Sequence, residues 1–337
     1  MVALSPAIRS LPTEDRPQDS VCGMSLFSST TPPSEDAAAE LAASMPTLAG
    51  NRLEPPRFFK TRWQVGQVFT SRDDPDRTME SWSPPDFALR KDPTLQHERM
   101  TIEELSVPRM GPSRFAHVLR HAIDEEDCGS LIASVNAKGF TPALLNVGMD
   151  QQRLMPLVRD GHRVIVDSPE LTAWLFEVLR PYLPEELEDG YRLSGLNERL
   201  RFLCYTPGQS FDEHMDGCYR RPHGHPQAGD RSRITVQIYL HDVPAHCGGA
   251  TTFFPGRSAA VAHQPEAGSV LLFTQDLTHE GSLVKAGIKY TLRTEAMYTK
   301  RKDAHPFARW APAAAPAESS GNEDVADLSS VAQDGEV

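Results

Sequence analysis

From about residue 200 to residue 300 the chain alternates short apolar runs with turn residues. RFLCY, RITVQIYL, ATTFF, GSVLLF and KYTLRTEAMY read as strands, with PGQS, the loop 217–232, HCGG and AGI as connections. Upstream the spacing is helical. In FAHVLRHAIDEEDCGSLIASVNAKGF, Phe115, Val118 and Leu119, then Leu131, Ile132 and Val135, recur at helical intervals, and Gly139 is placed to cap the C-terminus. A second helix fits SPELTAWLFEVLRPYL, with Ser168 as N-cap, Pro169 at the first helical position, and Leu171, Trp174, Leu175 and Val178 on one stripe. Helices followed by many short strands predict an α+β domain whose strands form a sandwich or barrel.

Composition sets the limits of that domain. Thirteen of the 28 prolines fall within residues 1–110, where segments such as SSTTPPSEDAAAE bury too little apolar surface to offset ordering entropy. Residues 1–110 are therefore expected to be a mostly disordered extension, structureless over about 1–55, with an arm at 57–90 that could form a short hairpin or dock on the main domain. The folded domain is expected at 111–305, with its catalytic core at about 200–300, and a low-complexity tail at 311–337. No apolar run reaches the roughly 20 residues that span a bilayer, and neither a secretory h-region nor a transit-peptide composition opens the chain. A cytoplasmic or nuclear location and no membrane partner are the expectation. The five cysteines are odd in number and widely spaced, which predicts free thiols rather than disulfides. The net charge of -12 argues against a nucleic-acid partner.

The candidate chemistry begins in FDEHMDG. His214 and Asp216 stand two residues apart, so in an extended chain they face the same side. His279 follows 63 residues after Asp216, just beyond GSVLLF. Two histidines and one carboxylate take one face of an octahedral metal and leave three positions open, as in non-haem Fe(II) oxygenases. Alone, an HxD pair is a weak signal, because a surface histidine beside a solvated acid gives the same spacing. Ten residues beyond His279 comes Lys289, which shares a strand face with Thr291, Arg293 and Glu295. Buried, that lysine needs a counter-anion, which a dicarboxylate would supply; on an edge strand it would simply face water. GGAT at 248–251 permits a tight turn or a close backbone approach.

Taken together, these motifs carry a resemblance. From about Arg114 to Tyr298 the chain resembles the prolyl 4-hydroxylase-type branch of the 2-oxoglutarate/Fe(II)-dependent dioxygenases. RFLCYTPGQSFDEHMDG is similar to that family's strand, Pro-Gly turn and metal-binding strand. RITVQIYLHDV, GGATTFF, GSVLLF, HEGSLV and GIKY with LRT follow in the family's order. The resemblance implies a double-stranded β-helix (jelly-roll) core with flanking helices. It implies that His214, Asp216 and His279 hold Fe(II), and that Lys289 pairs with the distal carboxylate of 2-oxoglutarate. Tyr205 and Thr251 match positions that line the cosubstrate pocket in relatives. O2 is consumed, and ascorbate is expected to sustain turnover. Many prolyl hydroxylases place Trp a few residues after the lysine; here Arg293 and Glu295 stand there, and Arg293 is a rival partner for the cosubstrate carboxylate.

The most direct function is hydroxylation of a C–H bond, of a prolyl residue in a protein or peptide, with release of succinate and CO2. Hydroxylation of a small molecule or nucleobase is the alternative within the same chemistry, and a catalytically silent β-helix binding module the alternative outside it. The loop GCYRRPHGHPQAGDRSR fits a lid over the substrate and a solvated insertion equally. Its His223 and His225 lack a third ligand for a second metal. His241, His246 and His263 read as loop or surface residues.

Overall fold

The computed structural model describes residues 35–70, 82–90, 100–105, 114–149, 151–254 and 259–300. Two antiparallel sheets face each other. In the nine-stranded sheet Arg199–Tyr205, Lys289–Thr299, Arg231–Tyr239 and Val270–Thr274 lie side by side; the four-stranded sheet orders Phe211–His214, His279–Gly281, Thr251–Phe253 and Val261–His263. Successive strands of residues 199–299 switch between the two sheets, except that Thr251–Phe253 and Val261–His263 pair as neighbours in the smaller one, which is the jelly-roll arrangement of two Greek keys. All five strand runs expected from alternation are present, within a residue or two at their ends.

Each central strand of the large sheet has two characters. Phe202, Cys204, Val236, Ile238, Tyr290 and Leu292 face the main apolar core. There they meet the helices Glu125–Lys138 and Pro169–Leu179, through Leu131, Ile132 and Val135 of the first and Leu171, Trp174 and Val178 of the second. The intervening residues, Arg201, Leu203, Tyr205, Gln237, Lys289, Thr291, Arg293 and Glu295, line a cavity between the sheets. The far end of the inter-sheet space is closed by a second apolar group, Ala116, Val118, Phe253, Leu271, Phe273 and Leu277. One sheet thus builds the core on one face and the candidate site on the other.

The second helix is as expected. Pro169 opens it, and the Ser168 hydroxyl accepts from the Leu171 amide, a cap worth about 1 kcal/mol. Gly139 ends the first helix at φ 86°, with its amide donating to the Val135 carbonyl. The start of that helix differs from expectation. Phe115, Val118 and Leu119 do not share it: Ala116–Arg120 is a strand between Thr101–Glu104 and Val270–Thr274, and the helix begins at Glu125. The i, i+3, i+4 spacing of these three residues also suits a strand buried on both faces, and the two sequence-distant partners decide it.

The N-terminal expectation is corrected in part. Residues 1–34 and the tail 311–337 lie outside the described residues. Within the stretch read as structureless, Glu35–Ala43 forms a helix, and Leu41, Met45 and Leu48 are buried in the main core. Their burial stabilises an Ala-rich segment that composition alone leaves unfolded. The arm docks as well: Phe58 packs on His162 at 4.4 Å between ring centroids. Val68–Thr70 pairs with Gln151–Arg153, making a three-stranded sheet with Leu145–Gly148. No helix among the described residues is long and apolar enough to cross a membrane.

Candidate metal centre and active site

The metal-binding candidates come together because two strands pair. His214 ends Phe211–His214 and lies directly opposite His279, the first residue of His279–Gly281. Asp216 follows two residues later, its amide donating to the Gln275 carbonyl. One ligand atom from each of His214, Asp216 and His279 lies within 4.8 Å of the others, and this is the one such group among the described residues. His214 Nε2 is 3.7 Å from Asp216 Oδ1, and His279 Nε2 is 3.8 Å from Asp216 Oδ2.

Hydrogen bonds behind the ligands set their chemistry. His214 Nδ1 is 2.7 Å from the Asp212 carbonyl, and His279 Nδ1 is 2.9 Å from the Leu277 carbonyl. A carbonyl only accepts, so each Nδ1 carries the proton and each Nε2 lone pair points to the shared space. Burial, with His279 nearby, lowers the His214 pKa to about 3, so the ring is neutral and ready to bind a cation. His279 is lowered as well, chiefly by burial. Burial pushes the Asp216 carboxyl upward, but Arg293, then His279 and His214, outweigh it and hold the group well below the carboxylate range. Arg293 Nη2 lies 2.8 Å from Asp216 Oδ1, while the Thr235 hydroxyl donates to Oδ2 at 2.5 Å. Supports of this kind fix a ligating carboxylate and tune its basicity.

The donor set fits Fe(II). Two neutral imidazoles and one carboxylate converge with no thiolate among them, the pattern of open non-haem iron sites. Cys218, adjacent in sequence, turns its thiol to the Ser232 carbonyl at 3.2 Å. Aromatic rings screen the histidines: Phe211 stacks on His214 at 3.7 Å, and Phe273 meets His279 edge-on at 4.7 Å.

Deeper in the cavity lies Lys289. It is only 4% exposed and has no hydrogen-bond or carboxylate partner among the described residues. Burial pushes its pKa down to about 7. Its ammonium sits 5.7 Å from the Tyr205 ring and 5.9 Å from the Tyr239 ring. Tyr239 in turn donates to Thr251 Oγ1 at 2.8 Å, and the buried Thr291 hydroxyl has no partner. A buried cation without a carboxylate partner, in a cavity also lined by Thr251 and Thr291, can receive a carboxylate. Gly161 makes room for this arrangement, since a Cβ there would stand 2.7 Å from the Tyr205 ring. The Gly248–Gly249 pair combines both expectations. Each has positive φ, and a Cβ on Gly248 would collide with the Leu283 carbonyl.

All seven residues singled out in the sequence, His214, Asp216, His279, Lys289, Tyr205, Thr251 and Arg293, line one cavity of about 630 Å³. Three further residues bear on it. Thr235 and Tyr239 lie on the alternating face of RITVQIY, where period two could have found them. Arg159, which also lines the cavity, precedes the strand His162–Asp167 and has no periodic signal. Of the histidines read as loop or surface residues, His241 lies in the connection after Arg231–Tyr239 and His263 ends the strand Val261–His263, and both are buried, at 2% and 5% exposed. His241 Nε2 accepts the Tyr290 amide, and His263 packs its ring on Tyr239. Both are burial events decided by partners distant in sequence. The loop after Asp216 is pinned at several points: Arg221 and His225 both reach Glu198, Arg221 also donates to the Leu196 carbonyl, and Gln227 donates to the Ser194 carbonyl.

Residues 200–294 match the family model described as the 2OG-Fe(II) oxygenase superfamily. No curated protein matches the sequence. Among solved structures, the chain is similar to the viral collagen prolyl hydroxylase of Paramecium Bursaria Chlorella virus-1 in its 2OG complex, at 20% identity and TM-score 0.37, covering 52% of this chain and 91% of that one. It is similar to a Pseudomonas putida prolyl-4-hydroxylase at 18% identity and TM-score 0.37, covering 52% and 87%. A Trichoplax adhaerens prolyl hydroxylase, solved with a peptide fragment of the hypoxia inducible factor oxygen degradation domain, is 16% identical with TM-score 0.41, covering 66% and 94%. The matched segment, 200–294, carries all three metal-binding candidates and Lys289.

Proposed function

We propose that the protein is an Fe(II)- and 2-oxoglutarate-dependent dioxygenase that hydroxylates a C–H bond of a prolyl residue in a protein or peptide. The observation that carries the reading is one cavity holding both an open His-Asp-His cluster and a buried, partnerless Lys289. A silent binding module has no use for either: a buried unpaired ammonium costs stability unless a ligand neutralises it. Support for a peptidyl proline comes from the sequence resemblance over Arg114–Tyr298.

In this reading His214 Nε2, His279 Nε2 and an Asp216 oxygen hold the metal. When bound, iron and 2-oxoglutarate with O2 supply the oxidising power, the cosubstrate being split to succinate and CO2 as one oxygen atom enters the C–H bond. The protein's own work is positioning. Lys289 anchors the distal carboxylate, with the Tyr205 and Thr291 hydroxyls beside it. Arg293 and Thr235 hold Asp216 from behind, so that arginine serves the metal carboxylate rather than the cosubstrate. Phe211 and Phe273 keep water from the backs of the histidines. Ascorbate is expected to sustain turnover by keeping the metal reduced.

Succinate release and a mass gain of one oxygen atom, measured over a panel of proline-containing peptides, test the proposal. Peptide-stimulated turnover that disappears in His279→Ala supports it. Turnover of 2-oxoglutarate that no peptide stimulates, but a small molecule or nucleobase does, overturns the peptidyl part.

A further inference from the structure

The cavity reverses the charge of the chain. Overall, 34 basic residues face 46 acidic ones. Around the cavity, Arg159, Arg163, Arg199, Arg201, Arg220 and Arg293 join Lys289, against only Asp216, Glu280 and Glu295. Iron(II) and a 2-oxoglutarate dianion cancel one another, so the loaded site keeps this positive excess. A cleft of one sign in a protein of the other concentrates ligands of opposite charge.

Three of these six arginines pair with carboxylates. Arg201 pairs with Glu295 at 3.0 Å, Arg293 with Asp216 and Glu295, and Arg199 with Asp167 at 3.3 Å. Arg159 has no carboxylate partner among the described residues. Its Nη1 donates to the Leu144 carbonyl at 3.2 Å, its guanidinium also hydrogen-bonds the Tyr205 hydroxyl, and its Nε is buried without a hydrogen-bond partner. The guanidinium lies 4.7 Å from the centre of the Phe211 ring, which also stacks on His214. It is thus one aromatic ring away from a metal ligand. The backbone holds it there, because Arg159 bridges to Phe211, and the Asp212 and Asp160 amides donate to the Val158 and Ser210 carbonyls across the same seam. Burial lowers its pKa to about 10, which leaves it charged at neutral pH.

We infer that the substrate is an acidic peptide, with a carboxylate side chain beside the hydroxylated residue that is received by Arg159. The inference rests on the peptide reading of the same site and adds its charge class. It predicts that kcat/KM for a prolyl peptide flanked by Asp or Glu exceeds that for its Asn or Gln counterpart at least tenfold, and that added salt narrows the gap.

Paired peptides of this kind, assayed with wild type, Arg159→Gln and Arg159→Glu, test it. Because both peptides meet the same protein, their ratio is insensitive to partial misfolding. The expected ratio falls to near one in Arg159→Gln and inverts in favour of a Lys-flanked peptide in Arg159→Glu. An equal wild-type preference for acidic and amide peptides overturns the inference. So does a raised KM for 2-oxoglutarate in Arg159→Gln with the peptide ratio intact, which would assign Arg159 to the cosubstrate. If no peptide reacts but a free amino or imino acid is oxidised in an Arg159-dependent way, the carboxylate inference stands and the peptide reading falls.

Discussion

Alternate residues of a single strand, Lys289–Thr299, live in two different environments. Tyr290 and Leu292 point to the helices and join an apolar core in which both are almost completely buried. Lys289, Thr291, Arg293 and Glu295 point the other way, into a cavity, and three of these four are buried almost as deeply. One face gains free energy from burial; the other loses it through desolvated charges that are paired, as Arg293 is, or left waiting, as Lys289 is. The comparison teaches that the helix-facing side stabilises the fold, while the cavity-facing side holds charges that pair with one another or, at Lys289, have no carboxylate partner among the described residues. Substitutions on the two sides should therefore have opposite signatures.

Removing a candidate metal ligand breaks the contrast most completely. His279→Ala is expected to lower 2-oxoglutarate turnover by at least about 10³-fold, since no other group among the described residues can complete the set. Thermal unfolding should report little destabilisation. A change on the opposite face does the reverse: Leu292→Ala, at a fully buried position, is expected to cost about 2–5 kcal/mol in a denaturant titration. Turnover per folded molecule should survive.

Lys289→Met sharpens the point. The KM for 2-oxoglutarate should rise by about 100-fold, the scale of one charge-assisted pair, yet the ligand-free protein should be no less stable than wild type. The pH dependence has a definite sign. Burial lowers the folded-state pKa of Lys289 to about 7 from an ordinary 10.5. Between those values the unfolded chain binds more protons, so this group makes the ligand-free protein gain stability as pH rises across the window. The stability difference between wild type and Lys289→Met should shift in wild type's favour from pH 7 to pH 9.5. A difference that is flat with pH would contradict a buried, partnerless ammonium. The smallest effect is expected from Thr235→Val, which removes one hydrogen bond to Asp216 and should weaken Fe(II) binding about tenfold.

Much of this two-faced sheet was legible in the sequence, because period-two alternation is local. KYTLRTEAMY separates its polar and apolar positions on sight, and the HxD pair and His279 frame the cavity without any tertiary information. The N-cap at Ser168 was equally plain. What escaped depends on partners distant in the chain. Phe115, Val118 and Leu119 carry a spacing that serves helix or buried strand, and Thr101–Glu104 and Val270–Thr274 choose the strand. His241 and His263 are buried by Tyr290 and Tyr239 rather than by anything adjacent. In EDAAAELAA and the residues after it, the spacing of Leu41, Met45 and Leu48 was a signal that low-complexity composition masked. Arg159 belongs to no periodic element, and its importance appears only once Phe211 and His214 are beside it.

The central claim is that His214, Asp216 and His279 hold iron while Lys289 holds the far end of 2-oxoglutarate. Anaerobic titration of the purified protein with Fe(II) and then 2-oxoglutarate tests it most directly, through the weak visible charge-transfer band of the chelate. The band should form in wild type, vanish in His279→Ala, and require a much higher cosubstrate concentration in Lys289→Met. A folded wild-type protein that gives no band, or a band indifferent to both substitutions, would contradict the account.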